Sequence, residues 1–96
     1  MFSVLQTETF ERWLDDLRDR KARAAIRNRL LQIEGGLLGD IRPLGGKVSE
    51  IRIHQGPGYR LYFTKKGLFV IVLLCGGDKG SQSRDLKKAK EMAAQV

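Results

Sequence analysis

The sequence predicts an α+β domain: a small antiparallel β-sheet, a helical hairpin on one of its faces, and a C-terminal helix, in the order β-α-α-β-β-β-α. Three observations predict it. Apolar residues recur at helical spacing in two segments before residue 35 and in one after residue 80. Residues 48–64 instead alternate apolar with polar, the period of half-buried strands. Residues 68–75 are apolar almost throughout, as in a central strand covered on both faces. A chain of 96 residues with a 42% hydrophobic share has room for one core, so residues 1–96 read as a single domain.

The elements follow in order. Residues 2–6 (FSVLQ) suit a short first strand. Thr7 can cap a helix, with Glu8 in the first turn where the helix dipole favours an anion. Phe10, Trp13, Leu14 and Leu17 then fall on one apolar face. Residues 19–34 read as a second helix with the stripe Ala22, Ile26, Leu30 and Ile33, ended by Gly35-Gly36. The tight join makes the pair an αα-hairpin, and Arg18, Arg20, Lys21, Arg23, Arg27 and Arg29 make it basic. Arg23 and Arg27 are candidates for RNA contacts from that surface. Residues 39–46 (GDIRPLGG) read as a loop.

In residues 48–54, Ile51 and Ile53 point one way, and Glu50, Arg52 and His54 the other. Gln55-Gly56-Pro57-Gly58 is a turn. In residues 59–64, Tyr59, Leu61 and Phe63 share a face, opposite Arg60, Tyr62 and Thr64. Lys65-Lys66-Gly67 turns into the apolar strand, and connections this short make the three strands antiparallel. Residues 81–94 read as the last helix, with Leu86, Ala89, Met92, Ala93 and Val96 as its stripe. The helical hairpin should therefore cover Ile51, Ile53, Leu61 and Phe63. The other face should carry Arg52, His54, Arg60 and Tyr62.

Eighteen Lys and Arg against eleven Asp and Glu give a net charge of +7. That balance favours an anionic partner such as nucleic acid, an acidic protein or a membrane surface. The single cysteine, Cys75, excludes an internal disulfide and a cysteine-rich metal site, and with one histidine no zinc site is expected. No metal or cofactor enters the expectation. Nothing reads as a signal peptide and the apolar run is too short to span a bilayer, so a soluble cytoplasmic protein is expected.

The stretch GGDKGS after the apolar run has the parts of a phosphate loop but not the Walker order GxxxxGK[ST]. Its lysine precedes the Gly-Ser pair, and the strand before it is antiparallel. ATP and GTP are therefore excluded. Gly76 and Gly77 allow close backbone approach, N–H groups near Ser81 favour an anion, and Lys79 adds a charge, so the loop is expected to hold a phosphate of a polymer. The alternative is a plain glycine turn with a solvent-facing lysine.

Three segments, FERWLDDLRDRKARAAIRNRL, GDIRPLGGKVSEIRIHQGPGYRLYF and LLCGGDKGSQSRDLKKAKEM, cover most of the chain. Together they resemble the RelE/ParE superfamily of bacterial type II toxins, and within it the phage-related addiction module killer, or HigB-like, group. The resemblance implies the same sheet, hairpin and C-terminal helix. It implies metal-independent cleavage of mRNA on the ribosome, which inhibits translation. The alternatives are ParE-like inhibition of DNA gyrase, or an inactive toxin-fold module acting with an antitoxin at its operator. It implies a cognate antitoxin encoded nearby, of helix-turn-helix type, with operator DNA bound only through the complex and no membrane partner. By position, the family's catalytic residues fall on Arg52, Arg60 and Lys79. RelE-type toxins often carry a C-terminal tyrosine or histidine, which RDLKKAKEMAAQV lacks. His54 and Tyr62 are the candidates for that role, His54 because imidazole suits proton transfer near neutral pH.

Overall fold

The computed structural model describes residues 1–96. It starts with a strand, β1 (Ser3–Gln6), that feeds directly into helix α1 (Glu8–Asp16) through Thr7. Thr7 joins three elements. Its hydroxyl accepts from Phe10 N–H, capping the helix, and donates to the Leu74 carbonyl at 2.8 Å. Its backbone N–H donates to the Leu73 carbonyl at 3.1 Å. Helix α2 (Arg20–Glu34) begins at Asp19, whose carboxylate accepts from Ala22 N–H. The chain then forms strands β2 (Ile41–Gly45), β3 (Val48–Ile53), β4 (Tyr59–Lys66) and β5 (Val70–Asp78). A single 3₁₀ turn, Lys79–Ser81, leads into helix α3 (Gln82–Ala93).

The five strands form one mixed sheet in the order β1-β5-β4-β3-β2. This corrects the expected layout in two ways. The segment 39–46, expected to be a loop, contains β2, which pairs antiparallel with β3, Ile41 opposite Ile51. Its glycines and proline mask it: Pro43 is tolerable because β2 is an edge strand, and the register slips between Pro43 and Gly45. Gly45, Gly46 and Lys47 (φ 84°, 59° and 64°) form the left-handed turn that returns the chain to β3. The second difference is direction. β1 pairs parallel with β5, Ser3 opposite Val70, so the sheet is not wholly antiparallel.

Two cores lie on opposite faces of the sheet. On one, Phe10 and Leu14 of α1 and Ala22, Ile26, Leu30 and Ile33 of α2 pack on Ile51, Ile53, Leu61, Phe63, Ile71 and Leu73. All twelve are buried. On the other face, Ala89 and Ala93 let α3 approach closely over Val48, Tyr62, Val72, Leu74 and Cys75. The expected open face is thus half covered. Tyr62, expected beside the arginines, is 1% exposed beneath α3.

A bulge in β5, where pairing slips between Tyr62 opposite Cys75 and Phe63 opposite Leu73, resets which way the end of the strand faces. Beyond it Gly76 faces α1 and Gly77 faces α3. No helix is long and apolar enough to cross a membrane.

Burial beneath α3, reinforced by the Asp85 carboxylate, pushes the Cys75 thiol up from 9.0 to about 11. The folded state therefore keeps this proton at pH values where the unfolded chain has lost it. That stabilisation is complete below the unfolded value and is lost as pH rises from about 9 through about 11. Urea unfolding at a series of alkaline pH values should show the loss, and Cys75→Ala should lessen it most between about pH 9 and 10, before the raised Tyr59 and Tyr62 hydroxyls, whose ordinary value is 10.0, add their own decline.

Candidate RNA-binding cleft

Arg52 on β3 and Arg60 on β4 stand directly opposite each other, and Arg60 is in turn opposite Gly77 of β5. Two residues past Gly77, the Lys79 N–H donates to the Gly58 carbonyl at 3.1 Å, tying the end of β5 to the β3–β4 turn. Arg52, His54, Arg60 and Lys79 consequently line one cleft of about 440 Å³, together with Tyr59 and the 55–58 turn. The turn needs its glycines. Gly56 (φ 59°) and Gly58 (φ 85°) are left-handed, and a Cβ on Gly56 would stand 2.7 Å from an Asp19 carboxylate oxygen.

Like charges directly opposite on adjacent strands are unfavourable. Each arginine is held by a carboxylate of its own. The Arg52 guanidinium lies 3.6 Å from Asp40, in the segment before β2, and its buried Nε has no partner. The Arg60 Nε donates to Glu50 at 3.0 Å. His54 is mostly exposed at the cleft mouth, with Nε2 3.4 Å from the same Asp40 carboxylate. Lys79 is exposed and forms no ion pair. Burial, with the Asp19 and Asp78 carboxylates adding to it, raises the Tyr59 hydroxyl above its ordinary value.

Tyr62 does not reach this cleft. It borders a separate cavity of about 260 Å³ with Leu44, Glu50 and the first turn of α3. Its hydroxyl is buried without a partner and pushed up to about 12, first by burial and then by Asp85 and Glu50.

The glycine loop is also built differently from the expectation. β5 continues to Asp78, so Gly76 and Gly77 are buried strand residues paired with Leu61 and Arg60. Gly76 makes room for the Trp13 ring, 2.5 Å from where a Cβ would be, and Gly77 makes room for Asp85 and Ser81. The N–H groups of Gly80 and Ser81 are taken by the Asp78 carboxylate, at 2.9 and 3.2 Å, and the Ser81 hydroxyl donates to Asp85. Of the loop, only Lys79 faces the cleft. Arg23 and Arg27 lie elsewhere: Arg23 donates to the Leu17 carbonyl at 2.9 Å, and Arg27 lies 3.3 Å from Asp15.

The residues that sequence reasoning missed are the carboxylates Asp40 and Glu50. Glu50 shares the parity of Arg52, which reads as outward-facing until α3 is placed over it. No group of three or more His, Cys, Asp and Glu side chains converges as a metal ligand set. Removing the Asp40 charge should strengthen anion binding. Asp40→Asn is expected to raise affinity for a short single-stranded RNA by up to about five-fold, because exposed ion pairs are worth roughly 0.2–1 kcal/mol. Fluorescence anisotropy at fixed salt measures it.

No protein-family model matches the chain. It is 39% identical over 93 residues to a Haemophilus influenzae protein bearing the description "Uncharacterized protein", covering 97% of this chain and 94% of that one.

Proposed function

We propose, for a chain that belongs to one family with that Haemophilus influenzae protein, that the cleft binds the RNA backbone and cleaves it without a metal. The observation that carries this reading is the facing pair Arg52–Arg60 with Lys79 at its end, three cations around one open cleft. The mixed sheet, with α1 and α2 on one face and α3 on the other, supports the finer reading as a RelE/ParE-like toxin acting on ribosome-bound mRNA. The basic surface, +7 in all, suits an acidic antitoxin as the neutralising partner, with operator DNA reached through that complex.

In this reaction the ribose 2′-oxygen attacks the adjacent phosphorus. Its bond to phosphorus forms as the bond to the 5′-oxygen breaks, leaving a 2′,3′-cyclic phosphate and a 5′-hydroxyl. Arg52, Arg60 and Lys79 offset the charge that builds on the pentavalent phosphate. His54 is the group placed to exchange protons with the 2′-hydroxyl or the leaving oxygen. Arginine stays protonated and cannot take the 2′ proton.

The test is to induce the protein and map new 5′ ends in cellular mRNA, with a gyrase supercoiling assay beside it. Discrete 5′-hydroxyl ends with supercoiling unaffected are the expected result. Gyrase inhibition without cleavage would replace this reading. Binding of single-stranded RNA by the purified protein should fall with salt at a log–log slope of about −2, from roughly −0.7 per neutralised phosphate at three contacts.

A further inference from the structure

We propose that Glu50 is the positioning residue of the cleft: it fixes the Arg60 guanidinium so that its Nη donors face the scissile phosphate. The proposal rests on the RNA-cleaving reading above. Glu50 is 2% exposed and does not line the cleft, so it does not meet a substrate there. Whatever it contributes passes through the group it touches, and its one hydrogen bond is to Arg60 Nε. Arg60 itself is 14% exposed in its side chain, which leaves it one open direction, toward the cleft.

An arginine has five N–H donors in a rigid planar fork. With Nε committed to Glu50, the plane of the fork is set, and the four Nη hydrogens meet no protein acceptor. Arg52 is held differently. Its partner Asp40 is half exposed, comes from a loop and lies at 3.6 Å, so its guanidinium is held less tightly than that of Arg60. The two facing cations therefore divide their work: Arg60 is preorganised and Arg52 adapts. The fixed charge of Glu50 also offsets one of two guanidiniums that would otherwise repel each other across adjacent strands.

A carboxylate kept only for stability would behave differently from one kept for aim, and Glu50→Asp separates the two. It retains the charge but is one methylene shorter, so it draws the guanidinium back by about 1 Å, a displacement that can cost on the order of 10² in rate. The experiment measures thermal midpoint, kcat and KM for cleavage of mRNA on translating ribosomes, and ¹⁵N relaxation of the Arg60 Nε–H. It compares the wild type with Glu50→Asp and Glu50→Gln.

For Glu50→Asp we expect a near-wild-type midpoint, kcat lower by about 10–10²-fold, and KM within about three-fold. For Glu50→Gln we expect a similar fall in kcat and a mobile Arg60 Nε–H where the wild type shows an ordered one. A Glu50→Asp protein with wild-type kcat overturns the proposal, as does an Arg60 Nε–H that stays equally ordered in Glu50→Gln. If the wild type cleaves no RNA, the enzymatic reading falls by itself. The Nε–H measurement then decides alone whether Glu50 fixes Arg60. If Glu50→Gln does not fold, the same comparison of order and kcat is made on Glu50→Asp.

Discussion

Arg60→Ala is expected to lower RNA cleavage by about 10²–10³-fold, the usual cost of about 2.7–4 kcal/mol when one preorganised donor to a developing charge is removed. The structure adds a second effect that must be separated from the first. Alanine leaves Glu50, 2% exposed, as a buried charge without its partner. Breaking a buried pair from one side costs about 3–5 kcal/mol of stability, a large part of the whole for a domain of this size. Loss of the proposed cleavage in Arg60→Ala alone would thus be ambiguous. Arg60→Lys resolves it. Lysine still answers the Glu50 charge but has no planar fork, so it should remain folded by urea titration while cleaving far more slowly than the wild type. A stable Arg60→Lys protein with wild-type cleavage would remove Arg60 from the proposed chemistry.

Gly76→Val should be a strongly destabilising change outside the cleft. The Trp13 ring occupies the space where a side chain on residue 76 would begin. That ring is held on two sides, by Phe10 at 5.8 Å and edge-on by Tyr59 at 6.2 Å between ring centres. Overpacking of this kind costs about 1–3 kcal/mol, and the branched side chain places this variant at the top of that range. At about 4–8 °C per kcal/mol for a domain of this size, the thermal midpoint should drop by roughly 12–24 °C. Calorimetry measures it, and Trp13 fluorescence should shift with it. The outcome also discriminates between two uses of the glycine. A phosphate-contacting glycine would lose RNA affinity on substitution while keeping its stability. A glycine that seats Trp13 loses stability first.

Local rules made much of this fold legible. Thr7 stands as a helix cap because a short oxygen-bearing side chain before an apolar-periodic segment has few other uses, while Asp19, read as the first helical residue, is the cap of the second helix. The parity of Arg52 and Arg60 followed from strand alternation, and cross-strand register then placed them face to face. What stayed hidden depended on contacts between distant segments. β2 is held by pairing with β3 despite Pro43 and three residues of left-handed turn, which local reading takes for a loop. Tyr62 alternates as an outward residue, yet α3 arrives from the far end of the chain to bury it. Gly76 and Gly77 look like a flexible turn and are instead strand positions emptied for Trp13 and Asp85. Asp78 looks like part of an anion-binding loop and is the anion that fills it. For β2, Tyr62, Gly76 and Gly77 the missing information was which distant segment would be the neighbour; for Asp78 it was a local cap that the glycines around it disguise.

The parallel pairing of β1 with β5 has a bearing on how the molecule is made. Thr7 and Leu74, hydrogen-bonded to each other, are 67 positions apart. The first strand emerging during synthesis must wait for the last before it has a partner, and α1 and α2 have no complete sheet to rest on until then. Closing so long a loop before any contact rewards it favours slow, cooperative folding over stepwise assembly. The cleft inherits the same schedule. Arg52 and Arg60 sit on a hairpin of contacts close in sequence, but Lys79 and the strand beside Arg60 come from the part of the chain synthesised last. A ribosome partway through this message therefore carries a cationic hairpin and no finished cleft. The cleft is complete only when β5, the last strand of the chain, lies between β1 and β4.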